Sequence, residues 1–309
     1  MSTLMKRLPK FEYLGPQSLA EVCGMIAGTS RDEVLLLAGG TDAILQMRRR
    51  ERTPRRVVGL KGVAELDFVR GQDDGGLAFG AMTTLQTLVA SPLVGQRHEL
   101  LQAAAAQIGG NELRNVATVG GNIAGALPCA DMSPALMTLG AKIKLVSERG
   151  ERWLALEEFF PEFGRTLALE DEVLAEISVP KPAANSAGAY LKFHDRHSMD
   201  MTIVGVAAFV SWDSESRTFA EIRLAYANGA PTVFRAHRAE ALLRGQALSE
   251  EGLEAVAETA CAESSPRTSW RANGEYRLEL IRALTKRAIR QAWEKAVRSK
   301  AVSSKETSR

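Results

Sequence analysis

Two glycine pairs are the residues in this sequence whose type and spacing most plainly suggest chemistry. The first stands in Leu37-Ala38-Gly39-Gly40-Thr41-Asp42, directly after a short apolar run over 33–38 and before a helix-like stretch. Glycine there lets the backbone take positive φ and approach a ligand closely, so that successive N–H groups can face a phosphate, with the Thr41 hydroxyl as a further donor. Paired glycines between a strand and a helix are equally a structural turn. The second pair lies in Asn115-Val116-Ala117-Thr118-Val119-Gly120-Gly121-Asn122-Ile123-Ala124, followed by Asp131, whose carboxylate can accept from a ribose hydroxyl. Two such loops on one domain say more than either alone.

The common nucleotide signatures are missing: no GxGxxG follows a strand, and neither GxxxxGK[ST] nor a GxSxG elbow occurs. His194 and His197 have an HxxH spacing that suits either a metal site or a polar surface pair. Cys129, between Pro128 and Ala130, is either a reactive thiol or a buried bystander. With Cys23 and Cys261 it makes three scattered cysteines, which form neither a disulfide ladder nor a four-thiolate cluster within one chain.

The elements that must position these groups alternate at first. Residues 11–13 read as extended, Ser18 as the N-cap of a helix over 19–27, residues 33–38 and 57–60 as strands. A strand over 77–80 follows, then a helix capped by Thr83 or Thr84, and an alanine-rich helix over 100–108. Residues 109–128 show little periodicity and read as a long ordered loop of functional type. A short helix over 134–140 and an alternating strand over 141–146 come next. Proline and small residues at 180–188 mark a boundary, beyond which a separate domain is expected, with strands at 190–193, 202–212 and 220–227 and helices at 238–244, 250–262 and 274–297.

The 309 residues, 45% hydrophobic and 25% charged, have the balance of a folded enzyme and exclude a disordered chain. No run approaches the roughly 18 apolar residues of a membrane span, and no signal peptide is visible at Met1–Lys10, so a cytoplasmic location is expected. The net charge of +2 hides an uneven distribution. Residues 286–309 hold eight Lys/Arg against Glu294 and Glu306, a local +6 that suits a solvated tail better than a nucleic-acid grip, since no aromatic interleaving accompanies it. Arg48, Arg49, Arg50, Arg52, Arg55 and Arg56 form a second basic cluster, either a docking face or the solvated end of a helix.

Taken together, Ala-Gly-Gly-Thr-Asp at 38–42, Phe-Gly-Ala-Met-Thr-Thr-Leu at 79–85, Ala-Thr-Val-Gly-Gly-Asn-Ile-Ala at 117–124, Ala-Asp-Met-Ser-Pro-Ala-Leu at 130–136 and Tyr-Leu-Lys-Phe at 190–193, leading to Met199-Asp200, form a known pattern. The chain resembles the FAD-binding medium subunit of the molybdenum hydroxylases, the family of xanthine dehydrogenase, carbon monoxide dehydrogenase and 4-hydroxybenzoyl-CoA reductase, to about residue 290. The resemblance implies an α+β fold: an FAD-binding domain of vanillyl-alcohol-oxidase type over 1–182, with α/β subdomains over about 1–60 and 61–182. A C-terminal domain over 183–292 follows, with a three-stranded antiparallel sheet and helices, and then a basic, disordered tail over 293–309.

The resemblance also implies that Ala38, Gly39, Gly40, Thr41 and Asp42, with Thr118, Gly120, Gly121 and Asn122, embrace the FAD pyrophosphate, and that the adjoining Leu37 and Ala117 belong to the cofactor site. Asp131 and Lys192 would complete the dinucleotide contacts, while Ala81, Thr84, Ile108 and Leu174 line the cofactor. One branch of the family holds a [4Fe-4S] cluster in a cysteine-bearing insertion near the second glycine loop. Here only eight residues separate Asn122 from Asp131, with Cys129 the single thiol among them, so no such cluster is expected. The xanthine dehydrogenase branch ends its lysine motif in an acidic pair; Met199-Asp200 retains one acid, which argues against NAD as acceptor. On this reading no side chain acts as a general base. Electrons pass between FAD and [2Fe-2S] clusters of a small subunit, a large subunit carries the molybdopterin cofactor, and the assembly is a dimer of heterotrimers. A stand-alone flavin oxidase of the same fold and a non-enzymatic adaptor are the competing readings.

Overall fold

The computed structural model describes residues 7–196 and 198–306, with side chains as far as Arg298. The chain opens with β1 (Glu12–Leu14), α1 (Leu19–Ile26), β2 (Val34–Leu37), α2 (Ala43–Arg49) and β3 (Arg56–Gly59), whose strands form a parallel sheet in the order β1-β3-β2. Ser18 starts α1 as expected: its hydroxyl accepts from the Glu21 N–H at 3.2 Å, satisfying an amide that the first helical turn leaves unpaired. Gly40 turns the chain between β2 and α2 at φ +73°, where a side chain would be strained.

Next come β4 (Val69–Gly71), β5 (Leu77–Gly80), α3 (Leu85–Ala90), α4 (Pro92–Arg97), α5 (Glu99–Ala106), α6 (Asn111–Arg114), α7 (Val119–Ala124), α8 (Met132–Thr138), β6 (Lys142–Ser147), β7 (Gly150–Ala155) and β8 (Val173–Val179). Their strands make an antiparallel sheet in the order β4-β5-β8-β6-β7. Thr84 caps α3, its hydroxyl accepting from the Thr87 N–H at 3.1 Å. The expectation of an irregular loop over 109–128 is corrected: α6 and α7 lie within it, and Gly120-Gly121 occupies the first turn of α7. Helices of four and six residues are too short to print a 3.6-residue period, so composition alone suggested a loop.

The C-terminal part holds β9 (Ser186–Phe193), β10 (Val204–Asp213), β11 (Thr218–Ala227), β12 (Phe234–Arg235), α9 (His237–Leu243), α10 (Glu250–Glu263) and α11 (Gly274–Glu306). Its sheet has four strands, β12-β11-β10-β9, rather than three, because the two-residue β12 adds an edge too short to recognise from sequence. It is also less separate than expected. On β10, Ala207 and Phe209 join the core beneath α5 and α8, while Val206, Ala208 and Val210 join the core beneath α9, α10 and α11. A sheet covered on both faces reads as a continuous apolar run, as Val204–Val210 does. Helix α11 runs past residue 292 to Glu306, with Trp293 and Ala296 packed into the second core. Among the described residues no helix is long and apolar enough to cross a membrane.

Candidate functional site

The cleft between the two sheets of the N-terminal half and the start of the C-terminal sheet encloses a cavity of about 550 Å³, inside the range of small-molecule and cofactor sites. Of the residues singled out from sequence, Ala38 to Asp42, Ala81, Ile108, Ala117, Thr118, Gly120, Gly121, Asn122, Asp131, Leu174 and Lys192 all line it. Leu37 and Thr84 do not. Leu37 ends β2 and packs with Leu35, Met47 and Val57 beneath the first glycine segment. Thr84 bridges to Thr118 across the backbone, so it pins the second segment without facing the cavity.

The four glycines do different work. A Cβ on Gly39 would lie 1.9 Å from the Val116 carbonyl oxygen, and one on Gly120 would lie 2.5 Å from Ala81 Cβ. Both are glycine so that the two segments and β5 can touch. Gly40 supplies the left-handed turn, while a Cβ on Gly121 would meet Thr118 Oγ1 at 3.0 Å and Ala38 Cβ at an ordinary 3.6 Å.

The donors also divide unequally. In the second segment the N–H groups of Val119, Gly120, Gly121 and Asn122 already donate to Thr83 O, Ala81 O, Thr118 Oγ1 and Thr118 O. They are unavailable to a ligand, contrary to the expectation that both backbones would cradle it. In the first segment the amides of Gly40, Thr41 and Asp42 donate to nothing among the described residues, because they precede the first intrahelical bonds, Ile44 N–H to Gly40 O and Gln46 N–H to Asp42 O. What the second segment offers is the Asn122 side chain, whose Oδ1 is buried without a partner. A buried orphan of this kind calls for a hydrogen-bonding ligand.

Asp131, at the start of α8, is the hub of the far wall. Its Oδ1 accepts from the Tyr190 hydroxyl at 2.6 Å and from the Thr202 hydroxyl, and its Oδ2 accepts from Lys192 Nζ at 3.0 Å. Lys192 Nζ also donates to the Gln107 carbonyl at 3.1 Å and its side chain is only 3% exposed, so it is no surface lysine. Burial and the neighbouring Asp131 carboxylate push the Tyr190 hydroxyl well above its ordinary pKa, keeping it a donor. Gly205 lies under that hydroxyl, leaving no room for a Cβ, which would stand 2.3 Å from Tyr190 Oη.

Cys129 lines the same wall; burial first, then the charges of Asp131 and Asp42, raise its thiol to about 11, so it is protonated and unreactive at neutral pH. Asp42 is itself raised by burial. Asp200 loses some of its acidity to burial, yet the backbone N–H groups of Arg196, Asp195 and Met201 hold it below the ordinary carboxylate range. It organises the loop after β9 instead of standing free. His194 turns its ring to the Arg196 carbonyl, and His197 lies outside the described residues. No group of three metal-ligating side chains occurs among the described residues, and neither histidine nor tyrosine lines the cavity there.

Sequence reasoning missed Arg31 before β2, Thr202 and Met201 before β10, and Arg271 from the turn before α11, and it read Arg52 only as part of a basic cluster; all five are on the cavity wall. Thr202 lies two residues beyond Asp200 and was within reach of the motif; nothing in the sequence connects Arg271 with loops some 150 residues earlier.

Comparison with known proteins gives a consistent result. Residues 9–182 match the family described as FAD binding domain in molybdopterin dehydrogenase, and residues 189–292 match the CO dehydrogenase flavoprotein C-terminal domain. The chain is 34% identical over 281 residues to a putative xanthine dehydrogenase FAD-binding subunit of Escherichia coli K12, covering 91% of this chain and 95% of that one. It is 32% identical over 285 residues to the carbon monoxide dehydrogenase medium chain of Hydrogenophaga pseudoflava, covering 92% and 98%. A solved structure of carbon monoxide dehydrogenase from that organism superposes with a TM-score of 0.89 at 33% identity, over 93% of this chain and 99% of the other. Quinoline 2-oxidoreductase of Pseudomonas putida 86 follows at 0.87 and 28%, over 94% and 99%. With matches of this length over both halves, and with a cavity whose glycine segments suit a dinucleotide, the chain belongs to the molybdopterin dehydrogenase family as an FAD-binding oxidoreductase subunit.

Proposed function

We propose that this chain holds FAD in the cavity described above and relays electrons between [2Fe-2S] clusters of a small partner subunit and an external redox partner, within a dimer of heterotrimers whose large subunit carries the molybdopterin cofactor. The observation that carries this reading is the convergence on one cavity of the free amides of Gly40–Asp42, the unpartnered Asn122 oxygen and the Asp131–Lys192 pair. Bound there, FAD supplies electron exchange in single and paired steps.

The chain's own residues bind, orient and shield. The free amides and the Thr41 hydroxyl receive phosphate oxygens, which such groups favour when they precede a helix. Asn122 adds a side-chain contact from the facing segment. Asp131, fixed by three donors, presents a carboxylate that cannot rotate away, and Ala81, Leu85, Ile108 and Leu174 keep water off the apolar faces of the cavity.

The test is an absorption spectrum of the purified chain, with the released cofactor identified by mass, followed by capture of partners from the source cell and metal analysis. FAD in a one-to-one ratio, with iron and molybdenum in the captured subunits, is the expected result. A colourless chain that refuses added FAD in the presence of those partners overturns the proposal.

A further inference from the structure

Two arginines, Arg271 on the cavity wall and Arg277 buried in the first turn of α11, have no carboxylate partner among the described residues. Arg277, in the first turns of α11, has the largest of the fully buried side chains, at 1% exposure. Its Nη1 donates to the Ile203 carbonyl and its Nη2 to Ser269 Oγ at 3.0 Å, while its Nε is buried without a partner. Ser269 Oγ also accepts from the Arg271 N–H at 3.3 Å, so Arg277 is tied through one hydroxyl to the backbone of Arg271. The Arg271 guanidinium lies 4.1 Å from the centre of the Trp270 ring and makes no hydrogen bond among the described residues, and Arg271 is one of the cavity's lining residues. Burial, then the like charges of Arg267 and Arg271, lower the pKa of Arg277.

Uncompensated positive charge at a buried position is costly, and it persists where a ligand brings the opposite charge. The other cations on the wall are engaged: Lys192 by Asp131, Arg196 by Asp200, and Arg31 and Arg52 by the carbonyls of Ala168 and Arg31. The first glycine segment carries no cation at all.

We propose that Arg271, backed by Arg277, forms a phosphoryl-binding corner on the cavity wall, with Arg271 as the contacting side chain and Arg277 as the residue that positions it through Ser269. The Arg271 guanidinium, 4.1 Å from the centre of the Trp270 ring and without a hydrogen bond among the described residues, leaves its N–H fork available to two oxygens of a phosphate. The corner rests on the FAD reading of the cavity for its favoured ligand, the pyrophosphate of the bound dinucleotide. A separate phosphate-bearing molecule shares the same chemistry.

The experiment uses the full chain freed of flavin, in wild-type, Arg271→Gln and Arg271→Lys forms, each checked for an unchanged circular dichroism spectrum. FAD and riboflavin affinities are read by fluorescence quenching at two salt concentrations, and melting of flavin-free and FAD-loaded chain is read with and without inorganic phosphate. Loss of roughly 10- to 100-fold in FAD affinity in Arg271→Gln, with riboflavin unchanged, a smaller salt dependence and partial recovery in Arg271→Lys, supports the corner with the dinucleotide as ligand. Unchanged FAD affinity, with phosphate raising the melting temperature of wild type and not of Arg271→Gln, supports it with a separate phosphate. Equal weakening of FAD and riboflavin, or FAD affinity and phosphate response in Arg271→Gln indistinguishable from those of wild type, overturns it. Failure of wild type itself to bind FAD counts against the proposed function and leaves the corner to be judged by the phosphate arm.

Discussion

Lys192→Met isolates the buried ion pair at the back of the cavity. The Lys192 and Asp131 side chains are 3% and 7% exposed, and Nζ makes two bonds, to Asp131 Oδ2 at 3.0 Å and to the Gln107 carbonyl at 3.1 Å. Methionine keeps the length and apolar character of the stem while removing the charge and both donors. Asp131 retains the hydroxyls of Tyr190 and Thr202 but loses its counter-charge, and removal of one partner from a buried pair costs about 3–5 kcal/mol. The double variant Asp131→Asn/Lys192→Met strands no charge, so it should recover at least about 1 kcal/mol of that loss. Urea unfolding of the flavin-free chain at neutral pH, followed by tryptophan fluorescence and far-UV circular dichroism, measures both. A shift of less than about 1 kcal/mol in Lys192→Met would mean that water reaches the pair and that the argument from burial fails. A double variant as unstable as the single one would show that the cost lies in packing and not in the stranded carboxylate.

Three further outcomes are expected. Gly39→Ala places a Cβ 1.9 Å from a backbone oxygen that cannot yield cheaply, so it should lower stability by about 1–3 kcal/mol and abolish FAD retention, whereas Gly121→Ala should be much milder; equal behaviour in thermal melts would refute the division of labour among the glycines. His98 is 3% exposed with both ring nitrogens unpartnered, and burial, helped by the charge of Arg97, lowers its pKa to about 4. The folded state therefore keeps it neutral while the unfolded chain takes up a proton near pH 6.5, so stability should fall by roughly 3 kcal/mol as pH drops from 6.5 to 4, and this component of the slope should vanish in His98→Leu when urea unfolding is compared across that window. Cys129, with its thiol at about 11, should react with iodoacetamide at pH 7.5 roughly a hundredfold more slowly than an unperturbed thiol; labelling at the free-thiol rate, read by peptide mass, would contradict its placement on the cavity wall.

The sequence by itself determined the local features. Ser18 and Thr84 announce helix starts because a hydroxyl ahead of an apolar period satisfies orphan amides, and the two glycine pairs stand out because no other residue type serves such turns and close approaches. The order of its motifs also points to the family and its cofactor. Tertiary structure decided what these groups are free to do. Only in the fold do the amides of Val119–Asn122 prove to be spent on β5 and on Thr118, Thr84 turn to the backbone of the second segment, and Lys192 become a buried partner of Asp131. The helices within 109–128 and the edge strand Phe234–Arg235 were too short to leave a period. Arg271 and Arg277 were illegible for a different reason: their meaning is a missing counter-charge, and whether a charge is balanced depends on which side chains the folded chain brings within a few ångströms, not on its neighbours in sequence.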